Sequence, residues 1–251
     1  MLNPAYGLLP QFAAHRHQPR APRPAIALTR LPAVLRSGKL YRPVGKVCGA
    51  RAVARARRGG ELLDSAAKLF AANGFAATSV RTVADRARLT KAGLYYHIRE
   101  KEDLLYRICH HSISAILAGA RQAMTEVSDP RARIAALIRN HAEFFRNHPD
   151  NLAVLNRDMT ALSAEPRAAI RKLERAYLEL VRGAISEGQK AGVFRRQLDP
   201  TVAAFTMLAA LNTLHQWYDP RGRIGHRALV RQITMILCGG VYAPERADEG
   251  A

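Results

Sequence analysis

The chain has 251 residues, a formal net charge of +19 and 48% hydrophobic residues, enough length for one or two domains with a sizeable core. Its three cysteines, Cys48, Cys109 and Cys238, are too few and too scattered for a disulfide framework or a metal knuckle, which fits a reducing cytoplasm. No apolar run approaches the roughly 18 residues of a membrane span, and the amino terminus lacks the basic patch, apolar stretch and cleavage site of a secretory leader. A membrane protein and a disulfide-built secreted domain are both excluded as expectations.

The charge is uneven. Twelve of the 39 Lys and Arg residues fall between Met1 and Gly60, where there is no Asp or Glu. Prolines from Pro4 to Pro43 interrupt any periodic pattern, so residues 1–58 are expected to form a basic, disordered amino-terminal extension. It reads either as an arm that holds DNA phosphates without sequence preference, with Arg51, Arg55, Arg57 and Arg58 best placed to do so, or as a solvated tail or leader sequence.

From Glu61 to Asn73, Leu62, Ala66, Leu69 and Phe70 recur at helical spacing, and Asn73-Gly74 closes the helix before Phe75 packs back. A second short segment follows from Thr78 to Ala87, capped by Thr78 or Ser79, with Val80, Val83 and Ala84 turned inward. Only Arg88 and Leu89 separate it from Thr90, a plausible N-cap for a third segment in which Leu94 and Ile98 face one way. Lys91, Tyr95 and Tyr96 stay on the exposed side of that segment. Two helices of about eight residues joined so tightly describe a helix-turn-helix, in which the second helix enters the major groove of double-stranded DNA. The N-terminus of that second helix suits a phosphate.

Lys101 to about Met124 reads as a long helix with Leu104, Leu105, Ile108, Ser112, Ile116 and Leu117 along one side. Asp129-Pro130 is a cap with proline in the first turn, opening a helix through Ile134, Leu137, Ile138 and Phe145 that ends near His148-Pro149. Asn151 to Ala161 is a shorter helical run, and Glu165-Pro166 starts a long amphipathic helix closed near Gly192. Asp199-Pro200 then opens a segment to about Tyr218 that is apolar nearly all round and should be buried on several sides. A last helix runs from Gly225 or His226 to Leu237. Strand-like alternation is absent, and the fold class is all-α.

The two late helices are more apolar than one core requires, and they carry the small residues Ala203, Ala204, Ala209 and Ala210. That pattern suits a helix-pair interface in a homodimer, the alternative being the interior of a monomer. A two-fold dimer would also place two recognition helices one duplex turn apart, about 34 Å, as a palindromic operator needs.

Leu69-Phe70-Ala-Ala-Asn-Gly-Phe75, Thr78-Ser-Val-Arg-Thr-Val-Ala84 and Lys91-Ala-Gly-Leu-Tyr-Tyr-His97, followed by Lys101 and Leu104-Leu105, resemble the TetR family of bacterial regulators. Two positions depart from the family pattern: Arg88 stands where a turn glycine is usual, and Ile98 replaces an aromatic residue. The resemblance implies a DNA-binding domain over residues 59–105, a ligand-binding and dimerisation domain over 106–242 with a flexible tail at 243–251, and dimerisation through the last two helices. Matched position by position, it puts Lys91, Ala92 and Tyr95 on the groove floor, with Tyr96 and His97 at its wall or on the backbone. Arg81 would reach a guanine edge or a phosphate. Thr78, Ser79 and Thr90 would donate to phosphates, and Lys101 would be a phosphate clamp. The alternative for Tyr95 and Tyr96 is packing under the first helix.

A pocket needs apolar walls and a few polar groups, and Phe144, Phe145, Met159, Tyr177, Asn212, His215, Trp217 and Tyr218 supply such a mixture, though each could equally be core. The run from Ala210 to Gly222 looks like the corresponding helix of TetR regulators that respond to acyl-CoA thioesters, which implies a small apolar effector, a CoA thioester among the candidates, that loosens the grip on DNA. No cofactor or metal is expected. His110-His111 lacks metal spacing and matching carboxylates, and no nucleophile or phosphate-loop motif appears, so the chain is not expected to be an enzyme. The rival readings are a basic protein that packs nucleic acid without specificity, and a helical small-molecule-binding protein or enzyme with incidental DNA affinity.

Overall fold

The computed structural model describes residues 50–239, with the side chains of 50–58 and of Lys91 left aside. The expected extension before Ala50 and the tail after Gly239 lie outside the described residues. Among the described residues the structure is helical and contains no β-strand: α1 Ala50–Asn73, α2 Val80–Arg86, α3 Lys91–Tyr95, α4 Lys101–Thr125, α5 Pro130–Asn147, α6 Pro149–Asp158, α7 Ala164–Lys190, α8 Pro200–Asn212, α9 Leu214–Trp217 and α10 His226–Gly239. The first helix begins at Ala50, well before the Glu61 expected from the apolar pattern, so it crosses the boundary drawn at residue 58. The boundary drawn after residue 105 falls inside the continuous α4.

The small amino-terminal unit is built as its sequence suggests. Leu62, Ala66 and Phe70 of α1 are buried with Val83 and Ala84 of α2, Leu94 of α3 and Ile98 just after it. Phe75 turns back so that its ring meets the Phe70 ring edge-on at 5.3 Å. The Ser79 hydroxyl accepts from the Thr82 amide at 3.0 Å, and the Thr90 hydroxyl accepts from the Gly93 amide at 3.0 Å, each satisfying a first-turn donor. Between them α2 ends in a Schellman turn: the Leu89 amide donates to the Ala84 carbonyl at 2.9 Å and the Arg88 amide to the Asp85 carbonyl at 3.2 Å. That turn needs a left-handed residue after the cap, and Arg88 fills the place with φ 54°. The departure from a turn glycine is therefore accommodated with the turn intact.

The larger unit is a bundle arranged around α4, which packs against α1, α5, α6 and α7. Asp129 caps α5 by accepting from the Ala132 amide, and Asp199 caps α8 by accepting from the Thr201 and Val202 amides. Where α4 and α5 come closest, Gly119 leaves the room that Asn140 occupies, and Asn140 Nδ2 donates to the Ile116 carbonyl at 2.9 Å. The segment expected to run unbroken from Pro200 to Tyr218 divides at Thr213, whose hydroxyl bonds back to the Ala210 carbonyl. Its Ala203, Ala204, Met207, Leu208, Leu211 and Leu214 are buried, while Val202 is 64% exposed and Trp217 58%.

Two side chains seat the bundle on the small unit. The Arg157 guanidinium, at the end of α6, donates to the Phe70 and Ala71 carbonyls at the close of α1. The Ser163 amide, just before α7, donates to Glu102 Oε1 in the first turn of α4 at 2.6 Å.

Arg88→Gly is expected to relieve the left-handed strain and raise stability by about 1 kcal/mol, a rise of roughly 2–4 °C in Tm. A thermal melt that shows no gain or a loss would mean that the Arg88 side chain holds the turn by contacts of its own.

Candidate nucleic-acid interface and internal cavity

The side chains of α2 and α3 that take no part in the core point outward together. Tyr95 is 46% exposed and Tyr96 68%, so neither packs under α1. Ala92 is exposed beside them, His97 is half-buried with its ring edge-on to Tyr96 at 5.4 Å, and the Arg81 side chain is 90% exposed, with its guanidinium 4.0 Å from Asp85. Ser79 and Thr90, both exposed, use an oxygen lone pair to cap their helices and keep a hydroxyl at the surface. Ser79 also shares a hydrogen bond with the Thr82 hydroxyl at 2.8 Å.

Two residues expected to touch phosphate have other partners. Thr78 is 3% exposed, and its hydroxyl donates to the Gly74 carbonyl at 2.8 Å. The Lys101 ammonium donates to the carbonyls of Phe75 at 2.9 Å, Ala76 at 3.3 Å and Thr78 at 3.0 Å, and lies 4.3 Å from the centre of the Phe75 ring. An ammonium has three protons, and all of them are committed. The geometry makes Lys101 the brace of the loop between α1 and α2, in place of the expected clamp.

In the bundle, residues of α4, α5, α6, α7 and α8 line a small, partly enclosed cavity of about 20 Å³. Of the eight residues expected to line a pocket, Tyr177 and Asn212 do so. Phe144, Phe145, Met159 and Tyr218 belong instead to the core; the Phe145 and Tyr218 rings lie 6.0 Å apart, and the Tyr218 hydroxyl donates to the Ile224 carbonyl. His215 Nδ1 donates to the Asn212 carbonyl at 2.7 Å, and Trp217 lies on the surface. An apolar residue on an apolar helix face buries whether or not a ligand is near, so composition alone does not separate the two roles.

Three polar residues on the lining were missed: His141, Asn156 and Glu174. A signal for two of them exists in the helical periodicity. His141 falls in line with Leu137, Ile138 and Phe145 on α5, and Glu174 falls in line with Ile170 and Tyr177 on α7, so each interrupts an apolar stripe. His141 Nδ1 and the Tyr177 hydroxyl are 3.2 Å apart, and Asn156 Nδ2 donates to the Asn212 carbonyl at 2.9 Å. Burial pushes His141 down to about 4, which keeps the ring neutral. Burial raises the Glu174 carboxyl to about 7, against a weaker opposite pull from Arg171 and Arg175.

Among the described residues no cluster of three or more His, Cys, Asp or Glu is placed to hold a metal ion. No helix among them is long and apolar enough to cross a membrane.

The geometry defines a class: a helix-turn-helix regulator whose short reading unit is seated on a helical body with an internal cavity. Residues 62–108 match the family of bacterial regulatory proteins of the tetR type, and residues 127–241 match the tetracyclin repressor-like C-terminal domain. The chain is 29% identical over 185 residues to the HTH-type transcriptional repressor KstR2 of Rhodococcus jostii, covering 73% of this chain and 91% of that one. Its structure is similar to that of the TetR family transcriptional regulator PfmR from Thermus thermophilus, with a TM-score of 0.67, 30% identity, and coverage of 74% and 99%. It is also similar to AibR in complex with isovaleryl coenzyme A and operator DNA, with a TM-score of 0.66, 27% identity, and coverage of 71% and 97%. The chain belongs to the TetR family of transcriptional regulators.

Lys101→Met keeps the stem over Phe75 but takes a donor from three carbonyls, of which only Phe75 keeps another in the Thr78 amide, and is expected to cost about 1–2 kcal/mol. Binding to all DNA sequences should weaken with the slope of affinity against salt unchanged; a slope lowered by about one unit would restore the phosphate role. A second expectation concerns pH. An unfolded Glu174 ionises near 4.5, and the folded protein holds its proton to about 7, so stability is full below the lower value and falls as pH rises through the upper one. Glu174→Gln should therefore gain up to about 3 kcal/mol over the native chain at pH 8 and little at pH 4, as read by urea unfolding at the two pH values.

Proposed function

We propose that this protein is a homodimeric repressor that binds a palindromic operator in double-stranded DNA through α2 and α3, and that a small apolar effector in the bundle releases it. The observation that carries the reading is the exposure of Arg81, Ala92, Tyr95 and Tyr96 on or beside two short helices whose Val83, Ala84 and Leu94 are buried in the core. Side chains that reach base edges must lie clear of the core, and these four are exposed. Lys91 at the start of α3 is assigned to base readout with Ala92 and Tyr95; His97 and the hydroxyls of Ser79 and Thr90 are assigned to the backbone.

Dimerisation is supported by the bare apolar side chains of the late helices: Val202 on α8, and Met235 and Ile236 on α10, are 64%, 66% and 72% exposed. Side chains of this size in a row of bundle helices suit a helix-pair interface. AibR, seen with isovaleryl coenzyme A and operator DNA, and the repressor KstR2 support a CoA thioester as the effector and repression as the outcome. The proposed location is the cytoplasm, and the extension before α1 is proposed as a basic arm along the backbone.

Footprinting on the DNA that flanks the protein's own gene tests the reading. The native chain is expected to protect a bounded palindrome and to release it on addition of a suitable CoA thioester. Ile236→Glu should sediment as a monomer and lose the bounded footprint, because one reading unit holds only half a site. Uniform protection of any DNA would favour the nonspecific packing reading.

A further inference from the structure

We propose that Arg157 is a positioning residue for operator recognition: with the connection between α6 and α7 it fixes the angle at which the DNA-binding unit leaves the bundle, and so sets the half-site spacing a dimer accepts. This rests on the dimeric operator-binding function above and does not involve the effector.

The DNA-binding unit is joined to the bundle by α4, which runs unbroken from one into the other, and α1 packs against α6. Apolar packing is non-directional, so it holds two surfaces together without fixing how one is turned on the other. Hydrogen bonds have direction. The stretch from Arg157 to Ser163 makes them to the DNA-binding unit at both of its ends.

At the first end, the Nε and Nη2 edge of the Arg157 guanidinium donates to both carboxylate oxygens of Asp158, at 3.1 and 2.9 Å. The Nη1 and Nη2 edge donates to the carbonyls of Ala71, at 3.0 Å, and Phe70. A planar fork engaged on both edges ties the end of α6 to the end of α1 at a defined angle, which a lysine could not do. Phe70 is buried in the core with residues of α2 and α3, so the point of attachment belongs to the whole DNA-binding unit. At the second end, the Ser163 amide donates to Glu102 Oε1 in the first turn of α4 at 2.6 Å. The stretch between is tightly held. Met159 and Leu162 are buried, the Leu162 amide donates to the Met159 carbonyl at 3.1 Å, and Arg167 Nη1 donates to the Thr160 carbonyl at 3.3 Å.

A single attachment leaves rotation about it, and two attachments, on α1 and on α4, remove that rotation. The angle matters because a duplex turns by about 35° and advances by about 3.4 Å with each base pair, so dimers that hold their units at different angles suit different spacings.

The test uses the operator that the full chain protects, rebuilt with one base pair added or removed between its half-sites, together with a duplex that carries one half-site. The native chain is expected to lose about tenfold in affinity on either altered operator, and Arg157→Gln only about threefold. The glutamine variant should bind the unaltered operator more weakly and the single half-site as the native chain does. Arg157→Lys keeps a charge for Asp158 without the fork and should fall between the two; it keeps the test open if the glutamine variant unfolds. A folded variant with a spacing preference as sharp as the native one overturns the proposal, whatever its Tm, and leaves Arg157 a stabilising contact. An equal loss on the single half-site overturns it as well, because the effect then lies within the DNA-binding unit. If the native chain protects no bounded palindrome, or is indifferent to spacing, the operator-binding function itself falls and takes this inference with it.

Discussion

Two cations hold the carbonyl end of α1 and the loop that follows it, and the position of the reading helices depends on them. The last carbonyls of a helix have no partner within it and carry the negative end of its dipole. Arg157 reaches them from α6, at Phe70 and Ala71, and Lys101 gathers Phe75, Ala76 and Thr78 from the head of α4. Arg157 is itself paired with Asp158, so the end of α6 and the carbonyls of α1 hold the guanidinium between them. Since α2 and α3 pack on α1, their aim follows from where these two side chains fasten it.

That fastening gives the bundle a lever. Leu155 and Asn156 line the cavity immediately before Arg157 in the sequence, and Asn156 spans to the Asn212 carbonyl at the end of α8. An occupant that parts α6 from α8 must loosen the Asn156 bond or carry α6 with it, and α6 moves with its guanidinium on the carbonyls of α1. A packed interior has few intermediate arrangements, so such a shift is a choice between discrete states whose populations a ligand biases by its difference in affinity for them. In a two-fold dimer the same shift alters the distance between two reading units, to which a palindrome responds steeply.

Much of this was legible in the sequence, for reasons that differ by element. The helix-turn-helix could be read because its caps, its turn and its inward residues are all local: Ser79, Thr90, Val83, Leu94 and the left-handed Arg88 act within a few residues of one another. The proline-capped starts of α5 and α8 were legible for the same reason. Lys101 was misjudged because a lysine near DNA-reading helices carries no mark of whether its ammonium faces outward or folds onto carbonyls more than twenty residues earlier. The cavity is harder to read: of the mixed apolar and polar set, Tyr177 and Asn212 line it, and His141 and Glu174, polar residues on apolar stripes, join them. The early start of α1 was missed because the run before Glu61 is rich in arginine and has no apolar periodicity, while the backbone continues the helix through it.

The same interior that fixes the bundle also holds it short of its greatest stability. Methionine in place of Glu174 would remove one buried oxygen without a partner, whereas leucine in place of His141 would strand the buried Tyr177 hydroxyl. The bare side chains of Val202, Met235 and Ile236 raise the same question on the outside, where polar residues would serve an isolated chain better. Under the proposed function an interior with unanswered polar atoms and a surface with unanswered apolar ones have one explanation: a small molecule would complete the first and a second copy the second. In that reading the α6 fastening would carry the effect of an occupant to the helices that meet DNA.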